Sequence, residues 1–497
     1  MKTAIIIGGG LGGLFTAAIL AKEGLRVTIL EKNATVGGGL QTFKRFGEKF
    51  DTGMHVIGGM QSGGNIRRIC QYLGIMDKVE LMGVDDDCTD SLYFAEGKMT
   101  YRIRKGRDGF VKSLATYFPD EKAHLEEYVK AIYAITDAVD LFNLRPSTDL
   151  FKVHSEDFLM PADAFVAKYI SNIKLRSVLA YMDPLYGGRH DETPAFIHAI
   201  ISVLYINGAS RFVGGSDKFA NLLVSVIQQA GGSVVTHDEV EWVEVKDRYV
   251  DFVRTRTGAE YRGDYYISAI HPCTLLKLMP EKAFPKAYRN RLEAIPNAYS
   301  AFSVYIKLKP NTFPYINHSE YYMTKYDEIW NFGEHHDSWP LGFLFMTSPE
   351  SHQGKYSTKV LITAPMLYDE VRQWENSKVG HRGADYEAWK EKMIQKLLER
   401  VEEMHPHFKE CIDKVNASSP LTIRDFYGAK EGTLCGFSKD YKNMALSELP
   451  VVTKISNLLL TGQNNNLHGF YGVPLTAIST AEAILGRNYI LNKLNEQ

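Results

Sequence analysis

Cysteine is scarce in this chain: Cys70, Cys88, Cys273, Cys411 and Cys435 are odd in number, widely spread and never spaced as C-x-x-C. That excludes a disulfide scaffold, a thiolate zinc site and a dithiol redox centre, and it makes a reducing cytoplasm the expected compartment. Long apolar runs are missing as well. A spanning helix needs roughly 18 or more consecutive apolar residues, and the nearest approach, Phe196 to Val213, is broken by His198, Asn207 and Arg211. Peripheral contact with a membrane stays open, although the stretch Phe196 to Ile206 reads better as a core helix. No charge dominates, since 57 Lys and Arg face 59 Asp and Glu. The footprint of a nucleic-acid partner is therefore absent. Repeats and low-complexity tracts are absent too. His335-His336 and His405-Pro406-His407 lack further ligands at metal-site spacing, so both read as solvated loops and no metal is expected.

Glycine is what the sequence concentrates, and its first cluster is the most informative. Lys2 to Ile7 reads as a buried strand and runs straight into Gly8-Gly9-Gly10-Leu11-Gly12-Gly13. This is G-x-G-x-x-G between a strand and a helix, the context that a dinucleotide site requires. Gly8 permits the tight turn, Gly10 lets backbone N–H groups approach a pyrophosphate, and Gly13 lets the helix sit close on the sheet. A second strand, Arg26 to Leu30, ends at Glu31, 21 residues after Gly10. A carboxylate there accepts hydrogen bonds from an adenosine ribose and repels the extra phosphate of NADP. A secretory leader is the rival reading of the opening run, but five glycines interrupt it and only Lys2 precedes it.

The rest of the chain alternates. Gly37-Gly38-Gly39 and the block Phe50 to Gly59 suit a backbone passing close to a ligand, and equally suit an ordinary glycine-rich loop. Asp108 to Leu144 carries helical periodicity, with a helix start at Pro119-Asp120. Gly214-Gly215 precedes a helix over Lys218 to Ala230, followed by Gly231-Gly232 and alternating strands to Ala269. Strands are also predicted at Ala301 to Lys307, Lys359 to Ala364 and Asn457 to Leu460, with helices over Asp385 to Met404 and Val473 to Leu485.

Four blocks together carry a family resemblance: Gly8 to Glu31, Phe50 to Gly59, Gly214-Gly215 with its helix, and Leu460-Thr461-Gly462-Gln463 with Gly469 and Gly472. In this order the chain resembles the phytoene desaturase, carotenoid isomerase and retinol saturase superfamily of FAD-dependent oxidoreductases. Phe50-Asp51-Thr52-Gly53-x-His55-x-x-Gly58 and Phe118-Pro119-Asp120-Glu121 are most similar to the retinol saturase branch. The resemblance implies FAD as the cofactor. It also implies an α/β fold with two dinucleotide-binding domains: a doubly wound, Rossmann-like FAD domain from 1–75, 209–281 and 425–497, and a mixed α/β substrate domain from 76–208 and 282–424. Cofactor contacts are implied for Gly8, Gly10, Leu11, Gly12, Gly13, Glu31, Lys32, Gly38, Gly39, Gly53, Met54, His55, Val240, Ala269, Gly462, Gln463, Gly472 and Val473. Three departures stand out: Gly39 replaces an arginine, Gln463 stands where related amine oxidases carry an acid, and a proline before Gly214-Gly215 is missing.

The implied function is reduction of a carbon–carbon double bond in a hydrophobic polyene or isoprenoid such as a retinoid or carotenoid, with hydride from flavin N5 and a proton from the protein. His55, His271, His468 and Tyr471 are the candidate proton donors. Against each stands the plainer reading of a satisfied structural or flavin-contacting group. Tyr186 to Pro194 lines a substrate entrance or simply turns the chain. The alternatives are desaturation, redox-neutral cis-trans isomerisation, and a flavin-free lipid-binding protein of the GTPase-chaperone type. No second strand-then-helix G-x-G-x-x-G is present, so the electron donor or acceptor is an unidentified partner.

Overall fold

The structure is a computed structural model that describes residues 1–147, 154–350 and 354–496. Its organising element is a five-stranded parallel sheet in the order Ser233–Val235, Arg26–Leu30, Thr3–Ile7, Tyr265–Ser268, Leu458–Leu460. Every neighbouring pair in it is parallel. Three distant stretches of sequence thus build one sheet, and its middle strand is the one that feeds the glycine turn.

Side chains on a strand alternate between faces, and the two faces of the middle strand are covered differently. Ala4 and Ile6 pack on helices, whereas Ile5 and Ile7 belong to a separate core. The helical face carries α1 (Leu11–Lys22), α2 (Asp217–Gln229) and α3 (Gly469–Leu485). Almost all of α1 is buried, including Gly13, Ala17 and Ala18, as expected of a helix apolar on every side. The other face is covered by an antiparallel meander, Val240–Lys246, Tyr249–Thr255 and Glu260–Tyr261, with the short helices Pro272–Lys277 and Lys286–Ala294.

A seven-stranded mixed sheet forms the second layer system, in the order Ile412–Ser418, Ser300–Leu308, Lys359–Met366, Gly342–Thr347, Ser319–Met323, Asp90–Phe94, Met99–Ile103. Only the pair Ser319–Met323 with Asp90–Phe94 is parallel. Phe302, Val304 and Ile362 pack under the helix Ala384–Met404 through Met393 and Leu397. The intervening residues Ala301, Ser303 and Thr363 face a cavity. A helical lobe closes that cavity, with Lys122–Asp137 packed on Ala195–Ile206. Phe196, Ile197, Ile200 and Val203 are buried there, so this apolar stretch is a core helix. No helix among the described residues is long and apolar enough to cross a membrane.

Two elements differ from the sequence reading. The helical stretch 108–144 is two helices, Arg107–Tyr117 and Lys122–Asp137, separated by a turn at Pro119. The last long helix begins at Gly469 rather than Val473. Gly469, Gly472 and Pro474 are poor helix formers, and tertiary packing on α1 overrides them.

Candidate functional site

The glycine turn is shaped by close approaches. A Cβ on Gly13 would lie 2.0 Å from the Gly8 carbonyl oxygen, and Gly8 itself holds φ at 100°. At Gly10 a Cβ would meet nothing nearer than the Gly38 Cα at 4.0 Å, so this face stays open. Gly10 caps α1 without a side-chain hydrogen bond, and the first turn carries no acid. Its free N–H groups and the positive end of the helix dipole make an anion site. The buried Glu31 carboxylate accepts the Gly9 N–H at 2.7 Å on Oε2 and the Asn33 N–H at 2.8 Å on Oε1. Burial pushes this carboxyl up despite both donors. An uncapped helix start beside a buried carboxylate fits the diphosphate and ribose of a dinucleotide.

Residues far apart in sequence converge on this turn. A Cβ on Gly12 would lie 3.0 Å from the Gly462 Cα and 3.3 Å from Val473 Cγ1, which puts the C-terminal block against α1. Ala269 Cβ would be 3.3 Å from a Cβ on Gly13. Gly37 N–H donates to Gly9 O at 2.7 Å, laying the Gly37-Gly38 loop on the turn. Leu11 begins α1, and Gly472 lies inside α3, where a Cβ would come within 2.2 Å of Leu467. Gln463 borders Gly436. Lys32 points elsewhere, donating from Nζ to Asp425 O at 2.7 Å. Val240 starts the meander and is buried in the core beneath the sheet.

Beyond the turn lies a cavity of ≈ 220 Å³ between the glycine loops and the mixed sheet. Ile201, Leu204, Phe343, Leu344, Ile423 and Leu434 make most of its wall apolar. Gly39, Gly53, Met54, His55, His468 and Tyr471 also line it, and no Asp or Glu does among the described residues. Burial pushes His55 down to about 4, against the pull of Asp51, and it pushes His468 down to about 4. Among the described residues, His468 Nε2 has no hydrogen-bond partner. Tyr471 donates to Phe142 O at 2.9 Å and accepts from Asn65, and burial raises its phenol. His271 does not line the cavity. Its Nδ1 accepts the Cys273 N–H at 3.2 Å, its Nε2 meets Asn297 Oδ1 at 3.1 Å, and burial lowers it to about 4.

Two tyrosines of this wall carry no sequence motif. Tyr427 donates to Thr52 Oγ1 at 3.3 Å, and a Cβ on Gly53 would lie 2.5 Å from its hydroxyl. The glycine in Phe50-Asp51-Thr52-Gly53 therefore makes room for a phenol from the other end of the chain. Tyr299 enters just before the strand Ser300–Leu308. Both were invisible to sequence reasoning because lone tyrosines usually just fill cores.

Comparison with known proteins gives this geometry a context. The family model described as flavin containing amine oxidoreductase matches residues 11–485. The all-trans-retinol 13,14-reductase of Macaca fascicularis is 27% identical over 97% of this chain and 85% of its own length. Prolycopene isomerase 1, chloroplastic, of an Oncidium hybrid cultivar is 24% identical over 86% of this chain and 74% of its own. Among solved structures, an oxidoreductase from Methanosarcina mazei superposes with a TM-score of 0.63 at 15% identity, covering 97% of this chain and 100% of that one.

Proposed function

The chain belongs to the family of flavin-containing amine oxidoreductases, and from that premise we propose that this FAD-dependent oxidoreductase reduces a carbon–carbon double bond of a hydrophobic polyene of the retinoid or carotenoid class. The observation that carries the reading is the cavity: apolar along most of its wall, adjoining the dinucleotide crevice and without a lining carboxylate. A protonated amine has no countercharge there, and Gln463 stands where amine oxidases of the family carry an acid. The relatives named for a retinol reductase and a prolycopene isomerase favour a polyene over an amine.

When bound, FAD supplies a hydride from N5, or accepts one there. The chain's own residues do the rest. In this reading Gly8, Gly10, Leu11, Gly12 and Gly13 with the start of α1 bind the diphosphate, and Glu31 orients the ribose through the lone pairs its two N–H partners leave free. Gly38, Gly39, Gly53, Met54, Ala269, Gly462, Gln463, Gly472 and Val473 line the path of the ring system, His55 and His468 flank it, and Val240 supports the adenine end. The stretches 1–75, 209–281 and 425–497 form the cofactor domain, with 76–208 and 282–424 holding the substrate and excluding water. A second reading, isomerisation without net electron transfer, is favoured by the prolycopene isomerase relatives.

The test is an absorbance spectrum of purified protein, anaerobic reduction, and addition of all-trans-retinol or a carotenoid. A reduced flavin that is reoxidised by the polyene, with a product two hydrogens heavier, is the expected result. An isomer formed while the flavin stays reduced makes the second reading correct. A flavin that ignores every polyene removes the substrate class.

A further inference from the structure

Beneath the cavity wall lies an acid that no motif marks. Asp183 is 0% exposed, and its carboxyl faces the Tyr186 and Tyr299 phenols, with no ion pair among the described residues. It starts the short helix Asp183–Tyr186, and the following residues Pro184 and Leu185 line the cavity. Space for the carboxyl exists only because residue 188 is glycine, where a Cβ would lie 1.6 Å from Asp183 Oδ1. An unpaired carboxyl in such a place costs several kcal/mol if it ionises. The expected compensation by hydrophobic replacement or ion pairing is missing, which points to use rather than packing.

Its neighbours define what it can do. Tyr299 and Tyr186 are the phenols acting on the carboxyl, Cys435 adds a thiol, and Asp163 is a further acid. Tyr299 Oη reaches the Asp183 backbone oxygen at 3.5 Å, and the residue lines the cavity. Arg189 acts on Tyr299 rather than on the acid. On the far side the Tyr186 hydroxyl sits 3.0 Å from His198 Nδ1, and Tyr128 sits 2.7 Å from His198 Nε2. Among the described residues, no cation acts on the carboxyl. Burial holds it well above the ordinary aspartate range, which favours the protonated carboxyl. The histidines of the cavity are the opposite case. His55 and His468 are neutral bases at pH 7, and a neutral imidazole is a poor acid.

We propose that Tyr299 is the group that protonates the substrate carbon and that Asp183, directly behind it, is the positioning acid that resupplies the proton. The inference rests on the double-bond-reducing reading of the site. In the reduction this reading assigns, bound reduced FAD would supply a hydride to one alkene carbon, its two electrons drawn from an external two-electron donor. The Tyr299 O–H bond breaks as the second C–H bond forms at the neighbouring carbon, and its electron pair stays on the phenolate oxygen. Asp183 gives its proton to that phenolate and becomes a carboxylate, which a proton from water restores. The substrate gains one hydride and one proton, and the pair returns to its starting state.

The test combines infrared difference spectra with turnover on the FAD-loaded enzyme, using Asp183→Asn and Tyr299→Phe. In the wild type a carboxylic-acid carbonyl band should persist at and above pH 7, and Asp183→Asn should lack it while retaining FAD. Both variants should lower kcat roughly a hundredfold, the low end of general acid catalysis, with KM unchanged. Tyr299→Phe removes one hydroxyl and keeps the ring, so it decides the matter if Asp183→Asn does not fold. Wild-type turnover in either variant, or a band unchanged by Asp183→Asn, overturns the inference while polyene reduction stands. An enzyme with the band that reduces no polyene sinks the function reading, and the delivery step with it.

Discussion

At the residue scale the site depends on single atoms that are present or missing. Glu31 uses both carboxylate oxygens as acceptors for backbone N–H groups, one in the glycine turn and one past the strand end. An amide has only one acceptor oxygen. Glu31→Gln therefore loses one of these bonds and leaves a buried N–H facing an NH₂ group, at a cost of roughly 1–3 kcal/mol. The expected outcome is a lower melting temperature together with a reduced flavin-to-protein absorbance ratio after purification. Normal flavin content and stability would mean that the two bonds are dispensable. Glu31 was legible in the sequence because it sits where a strand ends at a fixed distance from the turn. Asp183, Tyr299 and Tyr427 were not, since their meaning arises from spatial neighbours: Gly188 for the first, a cavity for the second and Gly53 for the third.

At the element scale the strand Ser319–Met323 is fastened to the end of the helix Ala384–Met404 by ionisable groups. Glu320 Oε2 meets His405 Nε2 at 2.7 Å, and Oε1 lies 3.7 Å from His318 Nε2. Burial alone would raise the Glu320 carboxyl, but the His405 hydrogen bond and the nearby His318 imidazole overcome it and hold it down to about 2. Because the folded value lies below the ordinary glutamate value of 4.5, the stabilisation is full above that pH and is lost as pH falls toward 2. The shift corresponds to about 3 kcal/mol. Glu320→Gln should therefore flatten the acid limb of a melting-temperature profile between about pH 4.5 and 2 and lower stability at neutral pH. An unchanged limb would show that other carboxylates set acid stability. Helix periodicity made Ala384–Met404 legible to within a residue. The strand Ser319–Met323 was not, because its five residues are buried on both faces and show no alternation.

At the scale of the whole molecule the dinucleotide crevice is assembled from the two ends and the middle of the chain. A Cβ on Gly12 would meet Gly462 and Val473, and one on Gly13 would meet Ala269. Ligand binding to such a crevice should tie the three stretches together by mass action, adding about 2.7 kcal/mol at a hundredfold excess over Kd. Reconstituting apoprotein with FAD should raise the melting temperature and slow amide exchange in the stretches Thr3–Leu30, Ser233–Ser268 and Leu458–Leu485 simultaneously. Protection confined to the first stretch would contradict a shared crevice. The parallel sheet was legible because glycine turns punctuate it, whereas the mixed sheet joins Asp90–Phe94 to Ser319–Met323 across more than 200 residues that no local pattern connects. The strand order also fixes when the molecule can first become complete. Thr3–Ile7 leaves the ribosome early, yet its neighbour Tyr265–Ser268 must wait for Leu458–Leu460 to cover its free edge. At translation rates of about 5–20 residues per second, the residues between them take on the order of ten to forty seconds to make. Through that interval Tyr265–Ser268 presents an unpaired edge, a template for pairing with the wrong strand.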